Sequence, residues 1–211
     1  MKKSFIALLT AVTLVFLSYT FAIGAESWDT SSTNDLTKSS VGIFSLGNGG
    51  MGRCSGVLID NHQGLSSILT AKHCIGTYEE TYVEGSIVNL IIASRNDDLA
   101  LLLVKGAIKN KVPANLSPLN VEDGTVYIVV YPDGTPHIKY GTLQIKTQDW
   151  EFYNMEVEPG FSGGGIFNAK QELIGILWGG LSSEETAIIE PIKDIRAFLR
   201  EIGVYTKWLN L

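Results

Sequence analysis

CSGVLIDNHQGLSSILTAKHC, residues 54–74, holds the reading that decides the fold. Gly56 to Ile59 and Leu65 to Ala71 are short runs rich in β-branched and aliphatic residues, and Asp60 to Gly64 between them reads as a loop. The same pattern recurs outward. Val41 to Leu46 lies upstream, and Thr81 to Val83, Ser86 to Ala93 and Leu99 to Val104 lie downstream, which makes about six strands. A polar, Pro-containing stretch from Gly106 to Asp123 interrupts the pattern before a second series begins. That series comprises Thr125 to Tyr131, His137 to Tyr140, Leu143 to Thr147, Glu151 to Val157, Gly164 to Phe167, Glu172 to Trp178 and Thr186 to Ile189. Two sets of short strands with few helices predict an all-β fold of two β-barrels side by side. At the end the period changes: Ile192, Ile195, Phe198, Leu199 and Ile202 recur at helical spacing. With Pro191 in the first helical turn and Gly203 as the C-terminal cap, they predict a C-terminal α-helix packed on the second barrel.

The chain has 211 residues, 45% hydrophobic and 18% charged, which excludes disorder and a collagen-like repeat. A formal charge of -6 gives no electrostatic reason to expect nucleic acid or an anionic membrane as partner. Residues 1–25 read as a secretory signal peptide: Lys2 and Lys3 precede an almost uncharged run from Phe5 to Phe21 and a small-residue exit at Ala22-Ile23-Gly24-Ala25. A membrane anchor is the competing reading, since about 18 to 20 apolar residues span a bilayer. The small-residue exit favours cleavage, so a secreted or periplasmic protein without stable membrane insertion is expected. Its mature part carries 14 basic and 22 acidic side chains. Residues 26–40 read as a flexible leader, 41–108 as the N-terminal barrel and 109–211 as the C-terminal barrel with the helix. Oligomeric state is not legible.

Cys54 and Cys74 both fall in the exported part, and an even count in an oxidising compartment suggests one disulfide. On the chain-entropy account it would contribute about 3 kcal/mol. A zinc site competes for the same residues. It lacks ligands, because His62, His73, His137 and the two cysteines show neither a CxxC nor an HExxH spacing. No metal and no cofactor is expected.

Three segments carry chemistry: Thr70-Ala71-Lys72-His73-Cys74, Asn96-Asp97-Asp98-Leu99-Ala100-Leu101-Leu102 and Pro159-Gly160-Phe161-Ser162-Gly163-Gly164-Gly165. Each alone is ordinary. Together they put His, Asp and Ser, in that order, at strand edges. A serine hydroxyl is a weak nucleophile that needs a base, and imidazole suits that task. Ser162 and His73 are the candidates. A carboxylate must fix the imidazole tautomer and stabilise its cationic form, which Asp98 would do. The developing oxyanion needs converging N–H donors, which Gly160 and Ser162 could present from a glycine-rich turn.

On these residues the chain resembles the chymotrypsin-fold (trypsin-like) serine proteases. Cys54-Ser55-Gly56-Val57-Leu58-Ile59 followed by TAKHC is similar to the family's CGGSLI to TAAHC segment. Asp98-Leu99-Ala100-Leu101-Leu102 resembles D-(I/L)-A-L-L, Gly160 to Gly164 resembles GDSGG, and Gly175 to Gly180 resembles the cleft strand GIVSWG. The resemblance covers about Val41 to Leu211. It implies two six-stranded antiparallel β-barrels and a serine endopeptidase that acts on protein or peptide substrates through an acyl-enzyme. It also implies a specificity pocket with Glu156 at its base and Leu177, Trp178, Gly179 and Gly180 in its walls. The spacings from His73 to Asp98 and from Asp98 to Ser162, 25 and 64 residues, match compact bacterial members or the high-temperature-requirement proteases.

Alternatives remain at several points. Asp97 adjoins Asp98 and competes as partner of His73, Asp98 being preferred because it directly precedes Leu-Ala-Leu. Gly160 to Gly164 also satisfies the GxSxG of α/β-hydrolases. That class needs a histidine after the serine, and none follows Ser162. A catalytically silent binding module of the same fold is the other alternative. Phe161 stands where the family has an acidic residue or Asn, so it cannot pair with a new N-terminal ammonium. It is expected to be a buried hydrophobic peg, with no cut needed at residue 41.

Overall fold

The computed structural model describes residues 36–203 apart from 48–49, 77, 119–123, 147–150 and 182–185. The expected signal peptide and the start of the leader lie outside the described residues. Six strands, β1 (Ser40–Gly47), β2 (Gly50–His62), β3 (Leu65–Ala71), β4 (Glu80–Val83), β5 (Ser86–Ala93) and β6 (Leu99–Lys105), close into an antiparallel barrel in the order β1-β2-β3-β6-β5-β4. The loop expected at Asp60 to Gly64 narrows to Gln63 and Gly64, at φ 51° and 77°. A bulge beyond Leu58 lets the polar end of β2 stay paired with β3 as far as His62 and Leu65. Glu84 and Gly85, at φ 47° and 78°, join β4 to β5 in the same way. Positive φ at both central residues gives hairpin turns whose twist matches that of the strands.

The second series forms β7 (Asn115–Leu116), β8 (Thr125–Val130), β9 (His137–Lys146), β10 (Glu151–Asn154), β11 (Gly165–Phe167), β12 (Glu172–Leu181) and β13 (Thr186–Pro191). The second set of six strands expected is present as β8 to β13, and the expectation is corrected by a seventh, β7. The strands form a seven-stranded sheet ordered β11-β8-β9-β10-β13-β12-β7, with β11 also paired to β12. The long β12 gives one edge to β11 and divides the other between β13 and the parallel β7, which pairs at Glu172 and Leu173. Two residues are too few to show a period, so β7 was hidden in the polar stretch. Gly141, which broke the pattern into two strands, lies inside β9. A Cβ there would sit 2.5 Å from the Asn154 carbonyl, so the glycine serves the close approach of β10 and not a turn.

Alternation of side chains assigns the core. Leu58, Ile68, Ala100, Leu102 and Val104 point into the first barrel. Their neighbours Val57, Ile59, Leu69, Leu99 and Leu101 join Val129, Tyr131, Phe167, Leu173 and Ile176 in a core shared with the second sheet. Val126, Ile128, Val130, Phe161, Ile166, Ile174 and Ile189 fill a third cluster within that sheet.

Helix α1 (Ile192–Glu201) closes the shared core with Ile192, Ile195, Phe198 and Leu199. Pro191 caps it from an extended conformation just outside the first turn, and Gly203 ends it at φ 68°. Residues 36–39, the end of the segment read as a leader, form a helical turn whose Leu36 is also in the shared core. Lys111 Nζ donates to the carbonyls of Thr37 and Ser40 and to Tyr131 Oη. Burial lowers the Lys111 pKa against the favourable charge of Glu84, and burial raises that of Tyr131.

Candidate active site

β3 runs straight into a 3₁₀ turn, Lys72–Cys74, so His73 leaves the barrel at a strand end. Asp98 immediately precedes β6, the neighbour of β3, and Ala71 pairs with Leu99. That register brings the two side chains together. Asp98 Oδ2 lies 2.5 Å from His73 Nδ1, and Oδ1 accepts the His73 main-chain N–H at 2.9 Å. The Lys72 N–H donates to the Asp98 carbonyl at 3.0 Å. The Asp98 side chain is 13% exposed and that of His73 is 47% exposed, so the carboxylate is shielded while the ring faces outward. Asp97 turns elsewhere: its Oδ2 accepts from Ser94 Oγ, which in turn accepts the Asp97 N–H. Asp98 is therefore the carboxylate on His73. Cys54 and Cys74 are bonded, tying β2 to the turn that carries His73.

Ser162 lies on the loop between β10 and β11, held by its main chain. Its carbonyl accepts the Ser55 N–H at 2.8 Å, and Cys74 Sγ is 3.6 Å from the same oxygen, so this loop abuts the His73 turn. Gly163 N–H donates to the Leu177 carbonyl, and Leu177 N–H to that of Gly164, each at 2.8 Å. Gly163 has φ 81°, and a Cβ there would fall 2.2 Å from both the Ser55 carbonyl and Thr70 Oγ1. Gly160 has φ 93°, and its Cβ would meet Pro132 at 2.8 Å. These close approaches explain the glycines. Phe161 is 1% exposed, in the core of the second sheet as expected, with Lys139 Nζ 5.8 Å from its ring centroid. Among the described residues, the N–H groups of Gly160 and Ser162 donate to no other group, and no hydrogen bond links Ser162 Oγ to His73. Such catalytic bonds are often long until a substrate is bound.

The expected cleft residues divide. Leu177 is fully buried in the third cluster, and its main chain holds the Ser162 loop. Trp178 is the extra residue where the β12–β13 register shifts, and it is 37% exposed. Space around Gly179 is open, whereas a Cβ on Gly180 would lie 2.7 Å from Val157. The Glu156 side chain is 67% exposed and 4.0 Å from Lys139 Nζ.

Two residues escaped the sequence reading. Ser55 is fully buried and uses every polar group: besides its N–H to Ser162, Oγ donates to the Gly160 carbonyl and accepts the Tyr131 N–H, and its carbonyl accepts from Thr70 Oγ1. Its signal was a serine inside Cys54-Ser55-Gly56, where the resembling motif has glycine. Glu190 is 3% exposed and its Oε1 accepts the Asp98 N–H at 3.0 Å. Its signal was a lone charge within Ala187-Ile188-Ile189-Glu190-Pro191-Ile192. Burial pushes its carboxyl up to about 7, against the pull of the Asp98 N–H.

Residues 54–176 match the trypsin-like peptidase domain family. No curated protein matches the chain by sequence. Among solved structures, it is similar to Rv3671c from M. tuberculosis H37Rv in an inactive mutant form, at TM-score 0.69 and 16% identity over 85% of this chain and 93% of that one. The active form of the Rv3671c protease gives TM-score 0.64 at 18% identity, covering 83% of this chain and 87% of that one. The serine endoprotease from Yersinia pestis gives TM-score 0.67 at 22% identity, covering 81% of this chain but only 64% of that one. At these identities the likeness is one of fold.

Proposed function

The chain belongs to the family of trypsin-like peptidase domains, and on that premise we propose that it is an exported serine endopeptidase with Ser162 as nucleophile, His73 as base and Asp98 as the group that orients and stabilises the base. The observation that carries this reading is the two-point grip of Asp98 on His73, one carboxylate oxygen on the ring and the other on the main chain. That grip leaves Nε2 as the basic nitrogen. Ser162 Oγ attacks the peptide carbonyl while Nε2 takes its proton, and the N–H groups of Gly160 and Ser162 hold the oxyanion. The intermediate collapses as His73 returns the proton to the leaving amine, giving an acyl-enzyme. Water, activated by the same base, releases the acid product. Substrates are proteins or peptides, read in a cleft rimmed by Glu156, Trp178, Gly179 and Gly180. The Cys54–Cys74 bond supports an oxidising, extracytoplasmic destination.

A fluorophosphonate label tests the assignment. Wild-type protein should be labelled on Ser162, and Ser162→Ala should take no label. If folded wild-type protein takes no label and cleaves nothing in a peptide library between about pH 5 and 9, the chain is instead a catalytically silent module that binds a partner through this fold.

A further inference from the structure

All six residues of β13 are buried, and among them only Glu190 is ionisable. Placing a carboxyl there is costly unless it is hydrogen-bonded. Its hydrogen bond crosses from the second sheet to the turn before β6, where Oε1 accepts the N–H of Asp98, 92 positions away. Asp98 is thereby fixed at every polar main-chain and side-chain group: N–H by Glu190, carbonyl by Lys72, and carboxylate by His73.

We propose that Glu190 is a positioning residue for the His73–Asp98 pair, holding the Asp98 main chain from the second sheet and setting through its charge the pH range in which the pair works. The inference rests on the peptidase reading above. The groups that face Glu190 are anionic: Asp97 and Asp98 from the turn, and Asp194 from the first turn of α1. Their charges push the Glu190 carboxyl in the same direction as burial does. Lys72 reaches the same turn through the Ser94 carbonyl, His73 lies beyond Asp98, and the residue paired with Glu190 on β12 is the uncharged Ile176. Once ionised, Glu190 adds a negative charge behind Asp98. That charge opposes loss of a proton from the pair in front of it, so the activity profile lies at higher pH than it would without it.

Glutamine at 190 keeps an oxygen for the Asp98 N–H and removes the charge, whereas alanine removes both. The experiment measures kcat and KM against pH for wild type, Glu190→Gln and Glu190→Ala on one peptide that the wild type cleaves, with fluorophosphonate labelling alongside. For Glu190→Gln the midpoint of the kcat/KM profile should move down by about 0.5 pH unit or more, with the plateau within about threefold. For Glu190→Ala kcat should fall about tenfold with KM within about twofold, and the Gln variant should restore it. Superimposed wild-type and Gln profiles overturn the proposal, as does an Ala variant with wild-type kcat. If Ala fails to fold, the Gln profile decides alone. Wild-type protein that neither takes the label nor cleaves peptide refutes the peptidase reading and this inference with it, an outcome distinct from an active enzyme indifferent to residue 190.

Discussion

His73 and Ser162 are held by different means. His73 stands on a half-exposed turn gripped by charge-assisted bonds from one carboxylate, whose main chain is itself held by Glu190. Among the described residues, no carboxylate grips the Ser162 loop in that way. Main-chain bonds to Ser55 and Leu177 hold it, with Phe161 buried beneath and glycines that admit neighbouring backbone. On the proposed roles, the His73 side therefore depends on charge, while the Ser162 side depends on shape. Substitutions on the two sides should differ in kind: those around Asp98 move a pH profile, and those around Ser162 change rate at every pH.

Ser162→Ala should have the largest effect. Turnover should fall at least about 10⁵-fold, while Tm stays within about 2 °C because a single oxygen is removed. Asp98→Asn should cost about 10³- to 10⁴-fold in kcat, since an amide cannot stabilise the cationic ring and favours the wrong tautomer. Asp97→Asn should stay within about threefold of wild type, because Asp97 bonds Ser94 and not His73. Equal losses from the two Asn variants, read as kcat on one peptide, would break the comparison at its base side.

Ser55→Ala attacks the other side. It leaves the Gly160 carbonyl and the Tyr131 N–H without their buried partner. Stability should fall by about 1–3 kcal/mol, and kcat by about 10- to 100-fold as the proposed oxyanion donors, the N–H groups of Gly160 and Ser162, lose their fixed orientation. The midpoint of the pH profile should not move. A shifted midpoint would mean that the two sides are not separately held.

The parts of this molecule that were legible in the sequence are those governed by local pattern. Strands β3 and β5 fall on the expected residues, because short runs rich in β-branched and aliphatic residues, bounded by turn residues, need no distant information. The places of His73, Asp98 and the Ser162 loop in the fold were legible because each lies next to a strand end with its own motif. What escaped depends on contacts between distant segments. Glu190 lies 92 residues from its partner, Ser55 reaches 105 residues to Gly160, and the two-residue β7 is defined only by the strand it meets. The seventh strand of the second sheet was missed for the same reason, since no local signal tells β12 to share one edge between two strands.

The disulfide adds covalent restraint to the polar side. Reducing Cys54–Cys74 frees the His73 turn from β2 and should lower stability by about 3 kcal/mol, seen as a lower midpoint in denaturant. The Ser162 loop rests against the same sulfur, so labelling should slow as well. Undiminished labelling after reduction would show that the Asp98 grip alone suffices.

The smallest effect sharpens the contrast most, because it reads the charge on the base side without any substrate. The Glu190 carboxyl is raised from the ordinary 4.5 to about 7, chiefly by burial, so between those values the folded protein holds a proton that the unfolded chain has lost. Stability from this group is therefore fully present below the unfolded value and declines as pH rises toward the folded one. Between about pH 5 and pH 7 the loss is about 2 kcal/mol, or about 4–8 °C in Tm. Asp133, whose pKa is lowered first by its bonds to Thr135 and then by His137, is ionised in both states across this window and adds no slope. Glu190→Gln cannot titrate and keeps every other group, histidines included, so the difference between the two melting curves isolates residue 190. Wild type should lose Tm relative to the Gln variant as pH rises through this range. A constant difference would mean that Glu190 is ionised in the folded protein at both ends of the range, leaving its hydrogen bond to Asp98 as its whole contribution.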